Sequence, residues 1–166
     1  MIPRAVLVNT AMAIGLAAAL SGSAVGQQKS LKDQLLGTWI FASVYDEYED
    51  GKKVHTFGEK PRGQWTFGAD GRFSEILAGE PREDLKGSDP RRPDAFMVAW
   101  YGTYTVNETD KTVTWKPEGG GYSPRFGTPS SIKITNVTAD KLSYIGSPRK
   151  DHLGTFVPHA ELTRAK

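Results

Sequence analysis

The 166-residue chain contains no cysteine. Disulfide frameworks, zinc–thiolate sites and thiol nucleophiles are therefore excluded. Histidine is scarce too: His55, His152 and His159 are the whole supply. No two of them have metal-ligand spacing, and no carboxylates cluster with them in the sequence. Neither a metal nor a cofactor is expected. The Gly119-Gly120-Gly121 run is not followed by Gly-Lys-Ser/Thr, so it is not a phosphate loop. Residues 27–166 hold no Gly-x-Ser-x-Gly, which removes the usual serine-hydrolase elbow. No catalytic set is recognisable. The formal net charge is only +2. Nucleic-acid binding wants a clear basic excess, so no such partner is expected.

Long hydrophobic runs are absent apart from one at the N-terminus. Ala5 to Leu20 is almost wholly small or apolar, broken only by Asn9 and Thr10. It is shorter than the roughly 20 residues of a spanning helix and is rich in weakly hydrophobic alanine. Arg4 precedes it, and Ala24 and Gly26 behind it fit the small-x-small rule for signal peptidase. The expected organisation is a cleaved signal peptide over 1–26, a short linker over 27–30 and one domain over 31–166. No cysteine follows the apolar run, so a lipid anchor is excluded as well. The mature form is expected in the periplasm or secreted, with no stable membrane anchor.

Strand signals dominate what remains. Trp39 to Tyr45 alternates Trp39, Phe41, Ser43 and Tyr45 against Ile40, Ala42 and Val44, a period of two. It runs out at Asp50-Gly51, a strong turn signal. Lys53 to Phe57 reads as a short second strand. Gln64 to Gly68 and Arg72 to Leu77 form a hairpin around Asp70-Gly71. Tyr101 to Asn107 pairs back through Glu108-Thr109-Asp110-Lys111 with Thr112 to Pro117. Ser131 to Val137, Leu142 to Ile145 and Gly154 to Arg164 complete the set. Ala78 to Arg92 is a long irregular stretch. Pro93-Asp94 resembles a helix start, so a short helix near 94–100 competes with a strand from Met97. Eight to nine short strands with almost no helix argue for an all-β, antiparallel, up-and-down barrel or sandwich. Closure into a barrel also removes exposed edges.

Five pieces then recur in a telling order. They are Gly37-Thr38-Trp39, Gly63 before the Asp70-Gly71 hairpin, Tyr101-Gly102-Thr103-Tyr104-Thr105-Val106, Thr112-Val113-Thr114 and the closing Thr163-Arg164. In this order the chain from Leu31 to Arg164 resembles the bacterial lipocalin-like domain family. The resemblance implies a single eight-stranded barrel around a cavity open at one end. It also implies that Trp39 plugs the closed end beneath Arg164 from the last strand, a cation–π contact of roughly 0.5–2 kcal/mol. One departure matters. Members often carry histidine where this chain has Trp115, so no role for that histidine carries over. Avidin-like proteins pair the same two motifs, but there the second comes much earlier in the chain.

The aromatic supply for an interior is Trp65, Phe67, Phe73, Trp100, Tyr101, Tyr104, Trp115 and Tyr144. These residues are either plain core or the walls of a pocket. Read as a pocket, Trp65, Tyr101, Tyr104 and Trp115 take up an apolar body, and Glu75, Arg125 and His159 orient it. Arg125 favours a carboxylate on the ligand. Glu75 interrupts an apolar strand. Pointing inward, it is a buried acid or a partner of Arg125 or His159; pointing outward, it is a solvated strand residue. Pro-Arg recurs at 61–62, 81–82, 90–91, 124–125 and 148–149, and turn chemistry is the plain explanation. The leading expectation is an exported protein binding a small hydrophobic molecule. Its rivals are an enzyme on the same barrel, using Glu75 with His159 or Tyr101, and an envelope protein with a solid core.

Overall fold

The computed structural model describes residues 29–81, 96–121 and 125–166. The expected signal peptide and linker therefore lie outside the described residues, apart from residues 29 and 30. A five-residue helix, α1 (Leu31–Leu35), precedes ten strands: β1 (Gly37–Tyr48), β2 (Lys53–Val54), β3 (Arg62–Phe67), β4 (Arg72–Ala78), β5 (Met97–Asn107), β6 (Thr112–Gly120), β7 (Ser130–Val137), β8 (Lys141–Gly146), β9 (Arg149–Lys150) and β10 (Thr155–Arg164).

The strands are ordered β2-β1-β3-β4-β5-β6-β7-β8-β10-β9, and β1 also pairs with β10. Eight of them thus close on themselves, every pairing antiparallel, while β2 and β9 extend single neighbours at one end. This is the lipocalin-like up-and-down barrel. Closure leaves no open edge among the eight.

Alternation decides what enters the barrel, and it is reset at register shifts on β1, on β6 and, between Ile134 and Asn136, on β7. On β1, Trp39 and Phe41 are buried; the register then shifts between Phe41 and Ser43, and Val44 and Tyr48 are buried instead. One extra residue moves every later side chain to the other face. Tyr45, which shares a period with Trp39 in the sequence, is sent outward by that shift. A second shift lies between Tyr101 and Gly102 on the β5–β6 ladder. Below it Trp115 stands opposite Tyr104; above it Gly119 stands opposite Tyr101. The Tyr101 ring lies over Gly119, where a Cβ would collide with it.

One end of the barrel is sealed. Ser30 Oγ caps α1 by accepting from the Asp33 amide at 3.0 Å. The Glu108 carboxylate in the β5–β6 turn accepts from the amides of Leu31 and Lys32 at 2.7 and 3.0 Å. Free helix amides are thereby satisfied. Leu31 and Leu35, four residues apart on one face, are buried. Trp39 Nε1 donates to the Leu35 carbonyl at 2.7 Å, and the Arg164 guanidinium sits 4.0 Å from the Trp39 ring centroid. Arg164 also donates to the carbonyls of Gln34, Leu36 and Ala139. One cation thus ties helix, first strand and last strand together.

Residues 97–100 are strand rather than helix. Met97 to Trp100 pair with Ala78 to Glu75 on β4, and that ladder occupies the backbone groups a helix would have used. Residues 94 and 95 lie outside the described residues. Among the described residues the helix is α1, with a Ser30 cap and Leu31/Leu35 spacing in the sequence.

Candidate functional site: the barrel cavity

Above the Trp39 plug the barrel is not filled. A cavity of about 570 Å³ occupies the half away from α1. That volume falls within the roughly 300–1,000 Å³ of small-molecule sites. The solid-core alternative does not describe this barrel.

Aromatic rings form the floor and walls. Trp65 meets the edges of Trp115 at 6.4 Å and of Tyr144 at 5.5 Å. Trp100 is tilted against Trp115 at 6.2 Å. Such pairs hold one another in place for roughly 0.5–1.5 kcal/mol each beyond the burial of their surface. Phe57, Leu77, Val98 and Ile132 add apolar wall.

Glu75 is the polar exception. It points inward, opposite Trp65 on β3 and opposite Trp100 on β5, and is only 7% exposed. Loss of water pushes its carboxyl up to about 7, and the positive charge of Arg149 only partly opposes that. The Tyr144 hydroxyl shares the interior; burial, then the Glu75 charge, holds its pKa well above the ordinary value. Arg125 reaches the same cavity from the β6–β7 connection and Arg149 from the short strand β9, both at the end far from α1. Loss of water and the charge of Arg125 lower the Arg149 pKa, so the two guanidiniums stand close enough to repel. Asp46 lines the cavity as well. Its pKa is raised by burial, and it accepts from Thr56 Oγ1 at 2.9 Å.

The expected pocket residues divide into two groups. Trp65, Glu75, Trp115 and Arg125 line the cavity together. Tyr101, Tyr104 and His159 do not. Tyr101 is 53% exposed on the outer face, because β5 alternates without a break and its neighbours Trp100 and Gly102 are the ones turned inward. Tyr104 points inward at the sealed end, where its hydroxyl donates to the Gly68 carbonyl at 2.8 Å and its ring packs on Phe67. His159 points outward, stacked on Tyr45 at 4.8 Å with Nε2 3.3 Å from Glu47. Glu75 accordingly has neither His159 nor Arg125 as an ion-pair partner. The structural pair, Trp39 and Arg164, stands in contact at the bottom. Of the expected mouth loops, residues 82–92 and 122–124 lie outside the described residues.

Two further cavity residues, Tyr144 and Arg149, differ in the signals they carry in the sequence. Tyr144 counted only as an aromatic; its place two residues beyond the core Leu142 gives it the inward period. Arg149 is the arginine of the last of the five Pro-Arg pairs, whose turn chemistry gives no sign of an inward side chain. Among the described residues no group of three or more His, Cys, Asp or Glu side chains is placed to hold a metal ion. No helix among them is long and apolar enough to cross a membrane.

No protein-family model matches the chain, and no curated protein sequence matches it. Similarity is found among solved structures. A redesigned β-barrel matches with 16% identity over 84% of this chain and 98% of its own, at a TM-score of 0.44. Bovine odorant-binding protein in complex with a selenium-containing odorant matches with 14% identity over 84% of this chain and 74% of its own, at a TM-score of 0.44.

Proposed function

We propose that this chain is an exported binding protein that holds one small, largely apolar molecule inside its barrel. One observation carries the reading: a cavity of about 570 Å³, walled by aromatic and aliphatic side chains, with a few polar groups converging on it. An apolar body gains roughly 25 cal/mol for each Å² withdrawn from water, and sparse polar groups then fix its orientation. Arg125 at the mouth suits a carboxylate on that molecule through a charge-assisted bond. The segment Ala5 to Gly26 supports export to the periplasm or beyond.

Titration with a fluorescent fatty acid, followed by quenching of tryptophan emission, tests the binding reading. Saturable quenching at one site per chain is the expected result. Failure of every apolar probe to bind at practical concentrations would remove it.

A second reading has an observation of its own. A carboxyl poised near pH 7 in an apolar cavity suits a general acid or base. On that reading Glu75 moves a proton on the bound molecule. Turnover of a bound compound that Glu75→Gln abolishes while leaving affinity intact would establish it.

A further inference from the structure

Resting on the binding reading above, the polar groups of the cavity narrow the class of molecule it takes. They fall at two levels. Glu75 and Tyr144 face the interior among the tryptophans, while Arg125 and Arg149 stand at the end far from α1. None of these four side chains makes a hydrogen bond or ion pair with the described residues. The two guanidiniums stand near enough to repel, and the attraction of Asp46 and Glu75 for Arg149 does not outweigh that repulsion together with its loss of water, an arrangement that a bound anion stabilises.

The interior level is rich in donors and poor in acceptors. A tyrosine hydroxyl gives one donor, and each indole one more. The buried indole N–H groups of Trp65 and Trp115 have no hydrogen-bond partner. Glu75 is the one carboxyl among them.

We propose that the ligand is an oxo-carboxylic acid: a carboxylate held by Arg125 and Arg149 at the mouth, an apolar chain along the aromatic wall, and a carbonyl oxygen at the buried end accepting from Tyr144 and Glu75. A plain fatty acid would leave the Tyr144 hydroxyl without an acceptor. An alkylamine would bring its charge toward two guanidiniums.

The protonation of Glu75 gives this assignment a signature. Burial among Trp65 and Trp100 holds the carboxyl protonated up to about 7, so below that pH it donates to a carbonyl. Above it, the carboxylate accepts only and repels the carbonyl oxygen. Tyr144 stays a donor throughout, because its own pKa lies far above. The other charged groups facing this space are Asp46, Arg125 and Arg149.

Calorimetric titration of the full chain with decanoate, 7-oxodecanoate, 9-oxodecanoate, 2-decanone and decylamine at pH 6 and pH 8.5 tests this. At pH 6 at least one oxo acid should bind about 10-fold tighter than decanoate, as two hydrogen bonds to a neutral oxygen predict, and at pH 8.5 only about 3-fold or less. Glu75→Gln keeps a donor that does not titrate, so its preference should persist at both pH values. Tyr144→Phe should cut the preference at both. Arg149→Ala should weaken the acids about 10-fold or more and leave 2-decanone unchanged. Equal affinity for decanoate and both oxo acids at both pH values would overturn the ligand class while leaving the binding reading intact. So would tighter binding of decylamine than of any acid. Failure of all five compounds to bind would take the binding reading with it.

Discussion

Trp65 and Glu75 are register partners across β3 and β4, and both side chains enter the barrel. The indole and the Trp100 ring on the other flank withdraw water from the carboxyl, which is why it holds its proton to about 7. The unfolded chain, by contrast, releases that proton near 4.5.

Stability should therefore fall as pH rises between those two values. In that window the folded chain keeps a proton that the unfolded chain has lost, so each step upward favours unfolding. Below 4.5 both states are protonated and Glu75 contributes nothing to the slope. Above 7 the penalty is complete, at roughly 3 kcal/mol. A melting series from pH 4 to pH 8.5 should show the wild type losing about 10 °C more than Glu75→Gln, given the usual shift per kcal/mol in a domain of this size. Asp46, also raised by burial, titrates in the same direction in both proteins and drops out of the comparison. Parallel melting curves for the two proteins would show that the carboxyl is not desolvated.

The sealed end makes a separate prediction. Trp39 is fully buried, so Trp39→Ala should destabilise by roughly 3–5 kcal/mol, as aromatic truncations in cores do. Arg164→Ala should cost less but remain measurable, because three carbonyls and the indole face lose their cation. Arg164→Lys keeps the charge and loses the fork, and should recover only part of the loss. Urea unfolding midpoints of the three variants decide the order. Negligible effects of both alanine variants would show that this end does not hold the barrel together.

The strands were legible from β-branched alternation and from Asp-Gly and polar turns; that pattern fits a barrel or a sandwich, and the resemblance pointed to the closed eight-stranded barrel. The sealed end was legible only through the resemblance that Gly37-Thr38-Trp39 and Arg164 carry; β1 and β10 place the two residues opposite each other. Facing was harder. A period of two carries inward and outward assignments along a strand only until a bulge, and the chain has no mark at Ala42 or Glu118 that announces one. Tyr101 is a different case: β5 is regular, and a residue three places from the inward Tyr104 must face outward by alternation alone. Tyr104 failed differently: its face was right, but its level along the barrel depends on how the strands are staggered, which no single strand records. Arg149 enters the cavity from β9, a strand of two residues, too short for any period to show its facing.

Export predicts a defined new N-terminus. Cleavage after the small residues at Ala24 or Gly26 should leave a mature chain starting near Val25 or Gln27, by N-terminal sequencing of protein recovered outside the cytoplasm. An intact Met1 on a soluble cytoplasmic form would contradict it.

The cavity makes the most demanding prediction, since inward and outward residues must behave differently in one assay. Trp115 and Arg125 line the cavity, whereas Tyr101 and His159 lie on the outer wall. Trp115→Ala removes the ring that Trp65, Phe73 and Trp100 pack against, so it should lower affinity for an apolar probe and also the melting midpoint. Arg125→Ala should lower affinity for a carboxylate-bearing probe about 10-fold or more, through loss of a charge-assisted bond, at an unchanged midpoint. Tyr101→Ala and His159→Ala should leave the dissociation constant within a factor of about two, because neither side chain reaches the space the probe occupies; a change that small is below 0.5 kcal/mol. Titrations of one fluorescent fatty acid against the four variants read all of this together. Weakened binding in Tyr101→Ala or His159→Ala, with Arg125→Ala unaffected, would place the site on the outer wall and empty the cavity of its role.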